Sequence, residues 1–427
     1  MNYDVVVVGA GPVGSTAARS AAEHGARVLL LEEHSSIGSP VGCTGLLSTR
    51  AVAECGLRPS EDFVFNSVRG AFVHASDGQI LPIDGKKTKA YVVSRKSFDR
   101  TLAARAVEEG AEISLRTRAV GLDRDFESGT CGEKADRKSS PTSPVSPASP
   151  SFPTKLRVIR NGRPETINAA VVIGADGVKS RVAQYAGLGK PARILPGVQI
   201  EAPYTSEDTD FVELFPGSPA PGFFAWTVPL DEKVSRIGLA VEANRLGKGE
   251  NPLSCLEKFL SSNPHLKARY GGGMLDFVMG GIPIGPLEKT YADGVLVAGD
   301  AAGQTKPTSG GGVYTGAFAA KIAGKVAAEA ALEGDSSAAR LSEYDRLWRK
   351  GLGKELEIGM KIHDYMGKLE DRQLNELIGS LNTPRILDTI TEYGDMDHPS
   401  VLMKKLMLSG NSLRLMKAFG TFVRTLF

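Results

Sequence analysis

The sequence predicts an α/β protein of three parts: a Rossmann-type domain, an antiparallel sheet inserted within it, and a helical C-terminal region. Three observations carry this prediction. An apolar strand runs straight into a glycine-rich turn, Gly9–Gly14, at the start of the chain. A separate series of strand-like segments spans 197–243. From residue 336 onward the apolar pattern is mostly helical.

Taken in order, Tyr3–Val8 is a run of apolar residues broken only by Asp4, as in a buried parallel strand. The glycine turn follows, and the Ala-rich segment 13–24 has helical character. Arg27–Leu31 is a second buried strand, closed by Glu32, which completes one βαβ unit. Residues 35–60, rich in Gly, Ser and Pro, are expected to be irregular. Segments 68–74 and 78–83 form a hairpin about Asp77-Gly78. Tyr91–Ser94 is a short strand and Ser97–Gly110 a helix stopped by its glycine. Strands follow at 111–122, 155–160 and 166–174. Gly294–Ala298 is a further strand, leading to a long helix over 312–333.

The stretch 124–155 breaks this pattern. Prolines 141, 144, 147, 150 and 153 fall at every third residue among Ser and Thr. Polyproline II has three residues per turn, so these prolines would share a face and could meet a proline-binding module. The alternative is a solvated, disordered insertion in a surface loop, which the low-complexity composition favours.

The formal net charge of +2 is near balance, so no broad field for nucleic acid is expected. The cysteines at 43, 55, 131 and 255 form no C-x-x-C pair, which gives no zinc or thioredoxin-like motif and suits a reducing compartment. No metal site is expected. The first residues lack the basic and apolar regions of a signal peptide, and no apolar run reaches membrane-spanning length. The expected location is cytoplasmic.

Chemistry concentrates in three segments. In Gly9-Ala10-Gly11-Pro12-Val13-Gly14 the first glycine permits a tight turn. Gly11 lets backbone approach a pyrophosphate, and Gly14 lets helix and sheet pack closely. The helix start offers free N–H groups to phosphate, and Glu32 can accept ribose hydroxyls. In the second segment, Gly299-Asp300-Ala301-Ala302, an aspartate after an apolar strand can hold the ribitol side of a flavin. Gly310–Gly312 then opens a helix that can face the pyrimidine end of the ring. Paired with the N-terminal turn, this segment points to FAD rather than NAD. The third segment is Val172–Gly177 with Asp176, followed by Ser180-Arg181.

Together the three segments resemble the superfamily of FAD-dependent aromatic hydroxylases and their relatives, over roughly residues 1–335 excluding the insertion. Further segments are similar to the geranylgeranyl reductase family: Ser39–Gly45 (SPVGCTG), Arg95 ahead of Phe98-Asp99, and Gly299–Gly312 (GDAAGQTKPTSGGG). Pro221–Pro229 (PGFFAWTVP) and Gly238-Leu239-Ala240 correspond to a substrate-side pattern of that family, Pro-x-x-Tyr-x-Trp-x-Phe-Pro and Gly-x-Gly. Here the Tyr is Phe224, the Phe is Val228 and the last Gly is Ala240. Leu46 stands where many members have glycine.

The resemblance implies an FAD-binding domain of 1–66, 92–186 and 280–335, a substrate sheet of 67–91 and 187–279, and a helical region 336–427. It implies FAD contacts at Val13, Glu32, Cys43, Thr44, Arg95, Ala119, Asp300, Gly312 and Val313, which join the motif residues Gly9, Gly11, Gly14 and Asp176 as the candidate cofactor-binding set. Phe224, Trp226 and Pro229 would line a path for an isoprenoid tail, although aromatic residues at such positions can equally be sheet core. Cys43 is the catalytic candidate, placing the alkene or supplying a proton; a small buried Cys is the bland alternative.

The implied activity is saturation of isolated C=C bonds in geranylgeranyl chains of archaeal ether lipids. A flavin monooxygenase and a non-catalytic lipid-binding flavoprotein are the other readings. Gly271–Gly273 lacks the strand and helix of a second dinucleotide motif, so electrons are expected from a diffusible carrier such as a ferredoxin. Finally, 398–427 contains no Asp or Glu. It carries Lys404, Lys405, Arg414, Lys417 and Arg424, with Leu415, Phe419, Phe422 and Leu426 at helical spacing. Such a helix can lie on an anionic membrane or pack on the body of the protein.

Overall fold

The computed structural model describes residues 2–124 and 153–408. Most of the proline-rich insertion lies outside these residues, as do Arg414, Leu415, Lys417, Phe419, Phe422, Arg424 and Leu426.

The first sheet grows from the N-terminal βαβ unit. Strand Asn2–Val8 lies between Arg163–Gly174 and Val28–Leu31, parallel to both, with Val7 opposite Ile173 and Leu30. Val295–Val297 and Glu112–Ser114 extend the parallel core on either side. The Val/Leu-rich strands are buried on both faces because apolar clusters cover each side. Thr154–Arg160 and Thr117–Arg124 continue this sheet as an antiparallel ribbon. Thr154 pairs with Arg124, so the insertion connects the ends of two adjacent strands.

Among the described residues the second sheet has seven strands in the order Asp276–Ile284, Arg193–Pro203, Val234–Ala240, Phe224–Pro229, Phe211–Pro216, Gly70–His74 and Ile80–Asp84. The expected hairpin is present, with Ala75 N–H donating to Gln79 O at 2.8 Å. One pairing departs from the all-antiparallel expectation: Phe211–Pro216 runs parallel to Gly70–His74. That register joins segments more than a hundred residues apart, beyond the reach of any local pattern. Helix Pro252–Ser262 covers one face of this sheet, burying Leu256 and Phe259 against Val198, Ile200 and Leu239.

Residues 35–60 are less irregular than expected. They contain strand Leu46–Ser48 and helix Thr49–Glu54, whose Ser48 Oγ accepts from Ala51 N–H at 3.0 Å. The predicted helix 97–110 is Arg95–Glu108, because Ser94 caps it. After helix Val313–Glu333, helices run from Ala338 to Leu408. Ile378, Ile386 and Ile390 close over Leu81 and Ile83 of the hairpin. Among the described residues no helix is long and apolar enough to cross a membrane.

Candidate functional site

Two helices start at one place. Helix Pro12–Glu23 begins after Gly11 and helix Val313–Glu333 after Gly312, and neither N-terminus has a side-chain cap. The helices pack side by side with their starts together. A Cβ added at Gly316 would lie 2.5 Å from Val13 Cγ2, and one at Gly299 would lie 2.7 Å from the same atom. Further along, Ser20 Oγ donates to Lys321 O at 2.8 Å. The positive ends of two helix dipoles therefore converge, which favours an anionic group between them.

The glycine turn is built for backbone contact. Gly9 has φ +101, and a Cβ there would overlap Ala175 O. A Cβ at Gly14 would overlap Gly9 O, whereas at Gly11 nothing lies within 4 Å. Glu32 closes the turn from the second strand: Oε2 accepts from Ala10 N–H at 3.1 Å, and Oε1 accepts from His34 N–H at 3.0 Å. Beside Glu32 is a cavity of about 510 Å³, lined by Glu33, His34, Arg116, Arg118 and Asn161 among others. Ala119 is buried near this end, in the cluster holding Leu29 and Leu31.

Asp300 lies at the start of the second helix. Thr305 Oγ1 donates to its Oδ1 at 3.1 Å, and a Cβ at Gly312 would sit 2.7 Å from the same oxygen. Burial pushes the Asp300 carboxyl up, opposed by Thr305 and the charge of Arg95. Val313 packs at the edge of the helix-side core. Asp176 is different. Its carboxylate accepts from Ser180 Oγ at 2.5 Å, Arg181 N–H at 2.7 Å and Val182 N–H at 3.2 Å, closing helix Arg181–Tyr185. What meets the glycine turn is the backbone of Ala175 and Asp176.

Cys43 sits in a loop held from two sides. Gly45 N–H donates to Cys43 Sγ at 3.3 Å. Arg95, paired with Asp99 at 2.9 Å, also faces the Cys43 sulfur. Burial alone would lower the Arg95 pKa, but Asp99 and Cys43 hold the guanidinium firmly charged. From the second sheet, Arg236 Nη1 donates to Thr44 O at 2.7 Å and to Val93 O at 3.1 Å. Nothing in the sequence around Arg236 signals this anchor. Gly280, on the same sheet, faces the loop, with the position of its missing Cβ 3.5 Å from Gly42 O.

A second cavity, of about 420 Å³, lies at the end of the antiparallel sheet and is lined by Phe223, Phe224, Pro307, Thr308, His363 and Met366 among others. The Phe223 and Phe224 rings stack at 4.1 Å. Phe223 also adjoins the glycine loop, since a Cβ at Gly310 would lie 3.5 Å from its Cζ. Burial lowers the His363 pKa, opposed by Glu242, whose Oε1 is 3.3 Å from Nε2. Trp226 does not line this cavity: its Nε1 donates to Gln199 Oε1 at 3.1 Å and its ring packs over Gly238. Pro229 is buried at the far end of the strand, where its carbonyl accepts from Asn66 Nδ2 at 3.1 Å.

Lys306 stands within GDAAGQTKPTSGGG, where nothing local in the sequence marks it as a site residue. Its buried Nζ is 2.5 Å from Asp397 Oδ1, tying the loop before Gly310 to the C-terminal helices. An Asp ninety-one residues downstream gives no sequence signal for this pair.

Residues 4–140 match the family model of the FAD dependent oxidoreductases. Residues 194–282 match the geranylgeranyl reductase catalytic domain. The digeranylgeranylglycerophospholipid reductase of Methanothrix thermoacetophila is 35% identical over 391 residues, covering 90% of this chain and 92% of the relative. The chain belongs to the digeranylgeranylglycerophospholipid reductase family. Another relative of that name, from Methanocaldococcus jannaschii, is 35% identical, covering 89% of this chain and 90% of its own. Among solved structures, a geranylgeranyl bacteriochlorophyll reductase-like protein from Thermoplasma acidophilum superimposes with a TM-score of 0.81, covering 99% of each chain at 24% identity. A flavin-dependent brominase shares the fold at a TM-score of 0.66 and 18% identity, covering 95% of this chain and 98% of that one. As a digeranylgeranylglycerophospholipid reductase family member the chain is a flavin-dependent oxidoreductase with FAD as its cofactor. The open space at Gly11, the two uncapped helix starts and the cavity beside Glu32 fit that cofactor.

Proposed function

We propose that this protein saturates isolated C=C bonds in the geranylgeranyl chains of membrane ether lipids. The supporting observation is the position of the Cys43 loop. It is fixed by Arg95 of the nucleotide-binding half and Arg236 of the antiparallel sheet, where the two halves meet. The lipid tail is assigned to the cavity walled by Phe223 and Phe224, whose lining is largely apolar but also includes Arg245, Glu370 and Asp371.

Gly9, Gly11, Val13, Gly14 and Glu32 would hold the pyrophosphate and adenosine side of FAD, with Ala119 nearby. Asp300, Gly312 and Val313 would hold the ribitol and pyrimidine side, and Cys43, Thr44 and Arg95 the face toward the substrate. When bound, the flavin supplies a hydride to one alkene carbon. The other carbon needs a proton, and Cys43 Sγ is the assigned donor. Arg95 beside the sulfur offsets the negative charge that proton loss leaves there. Such an alkene has no activating carbonyl, so fixed geometry and exclusion of water must supply much of the rate. Electrons would come from a diffusible reduced carrier.

The test uses chemically reduced protein and a digeranylgeranyl ether lipid in detergent, with mass spectrometry of the product. The expected result is a gain of two hydrogens for each bond reduced. A flavin-loaded preparation that leaves the lipid mass unchanged overturns the proposal. Oxygen consumption driven by NAD(P)H with a hydroxylated product would point to a monooxygenase instead.

A further inference from the structure

Strand Asp276–Ile284 has two unlike faces. Among the described residues it is an edge strand, paired on one side only with Arg193–Pro203. Its inner face carries Gly280 against the Gly42 carbonyl. Its outer face carries Leu275, Phe277 and Met279 at alternate positions, in register with the strand's own pleat. These side chains are exposed at 62%, 43% and 64%, and Met274 beside them at 62%. Ile194 on the neighbouring strand adds an exposed side chain to the same side. Edge strands are normally protected by charge, and a contiguous apolar row in water is unfavourable unless something covers it.

Two segments beside this row are basic, although exposed Glu207, Glu257 and Asp276 also lie close in sequence or contact. Residues 258–275, which lead into the strand, contain Lys258, Lys267 and Arg269 and no Asp or Glu. Residues 177–200 contain Lys179, Arg181, Lys190 and Arg193 and no Asp or Glu. This second segment abuts the strand at Gly281, where an added Cβ would lie 3.6 Å from Val178 Cγ2. Lys179, Arg181, Lys190, Lys258 and Lys267 are exposed. Arg193 and Arg269 are held in ion pairs. Asp276 lies on the inner face of the strand, opposite Glu201. Its Oδ1 accepts the N–H of Phe277 at 2.8 Å, which occupies a donor that an added β-strand would need. The surface therefore suits contact through side chains better than extension of the sheet by a partner strand.

We propose that the outer face of strand Asp276–Ile284, centred on Leu275, Phe277 and Met279, docks the protein on an anionic lipid surface. The apolar row enters the interface and the flanking lysines and Arg181 meet the lipid phosphates. This surface is separate from the C-terminal segment 398–427. It places the membrane on the opposite face of the strand that meets the Cys43 loop at Gly280. The inference deepens the proposed function, on which its biological sense rests, but its test reads membrane contact alone.

The experiment is sedimentation of the full flavin-loaded chain with phosphatidylglycerol vesicles, and with phosphatidylcholine vesicles, at low and high salt. The wild-type chain is expected to bind phosphatidylglycerol vesicles, more weakly at high salt and on phosphatidylcholine. Phe277→Ser/Met279→Ser should weaken that binding about tenfold or more while keeping its flavin absorbance and melting temperature. Lys179→Glu/Lys190→Glu, which leaves the apolar row intact, should weaken binding only to the anionic vesicles. Unchanged binding in both variants, or absence of wild-type binding, overturns the proposal. So does a wild-type dimer that becomes monomeric in the serine variant, because the face then belongs to a second copy. Loss of vesicle binding with retained turnover of detergent-dispersed lipid separates this surface from the reductase reading. Vesicle binding that stands while no lipid is reduced would sink that reading and leave this one.

Discussion

Arg236 donates to the carbonyl of Thr44 at 2.7 Å, and through this bond the antiparallel sheet holds the loop that carries Cys43. The same Nη1 reaches Val93 O at 3.1 Å, while Nε pairs with Glu201 Oε2 at 3.3 Å. A planar fork makes these contacts together, and an ammonium cannot reproduce the fork. Arg236→Lys is therefore expected to lower single-turnover reduction of the lipid by roughly tenfold or more, equivalent to about 1.4 kcal/mol, with FAD still bound. Turnover equal to wild type would show that the loop holds its place without this anchor.

Cys43 itself is expected to be needed for chemistry and not for the cofactor. Among the described residues, the N–H of Gly45 donates to its sulfur and Arg95 faces it. Cys43→Ser keeps a small hydrogen-bonding group, so flavin absorbance and melting temperature should remain near wild type. Turnover should drop by roughly 10²-fold or more if the thiol proton is transferred, the scale of a lost general acid. A serine variant with full turnover would remove Cys43 from the reaction.

The parts of this site that were legible in the sequence are local. Gly9 to Glu32 form one contiguous strand–turn–helix–strand, and each residue type is dictated by its nearest neighbours. Asp300 and Gly312 are likewise twelve residues apart along one loop. What the sequence hid is long-range or side-chain bookkeeping. Arg236 meets Thr44 across 192 residues, and no periodicity marks such a bond. Lys306 finds Asp397 across 91 residues. Helix Thr49–Glu54 was missed because Gly, Ser and Pro dominate its surroundings, although Ser48 ahead of it was a readable cap. Trp226 could have lined the lipid path or filled the sheet core, and alternation cannot separate those. Its ring packs on Gly238 and also meets, edge to face, the ring of Phe224, which lines the cavity.

That packing makes Gly238 a sensitive position. A Cβ there would lie 2.7 Å from Trp226 Cζ2 and 2.8 Å from Val198 O. One neighbour is a ring already hydrogen-bonded to Gln199 and the other is backbone, so neither can yield freely. Gly238→Ala is expected to cost about 1–3 kcal/mol in chemical denaturation, the range for overpacking a core. A stability change below about 0.5 kcal/mol would mean that the Trp226 ring moves easily.

The Lys306–Asp397 pair offers a test of how the C-terminal helices brace the loop before Gly310. Both side chains are buried, exposed at 10% and 2%. Asp397→Ala leaves an ammonium without its partner in a dry place and should destabilise the protein by about 3–5 kcal/mol. Replacing both residues with Lys306→Met/Asp397→Leu should recover much of that loss, because no charge is then left buried. If the double variant is no more stable than the single one, the pair is not the cause of the destabilisation.

Glu213 carries the clearest pH dependence. Its carboxylate accepts from Tyr204 at 2.7 Å, Thr227 at 2.6 Å and Arg269 at 3.0 Å, and lies 2.5 Å from His265 Nε2. His74 Nε2 is 3.5 Å away on the same oxygen as His265. Burial alone would raise the Glu213 pKa, but hydrogen bonds from His265, Thr227 and Tyr204, with His74 close by, bring it well below the ordinary carboxylate range. A folded-state pKa below the unfolded value means that the unfolded chain binds the proton more readily as acid is added. The stabilisation is thus complete above the unfolded glutamate value, about 4.3, and drains away as pH falls further. Urea unfolding of the wild type should show stability falling steeply below about pH 4.5, and Glu213→Gln should be less stable at pH 7 with a shallower acid slope. An identical slope in the glutamine variant would assign the acid sensitivity to other carboxylates.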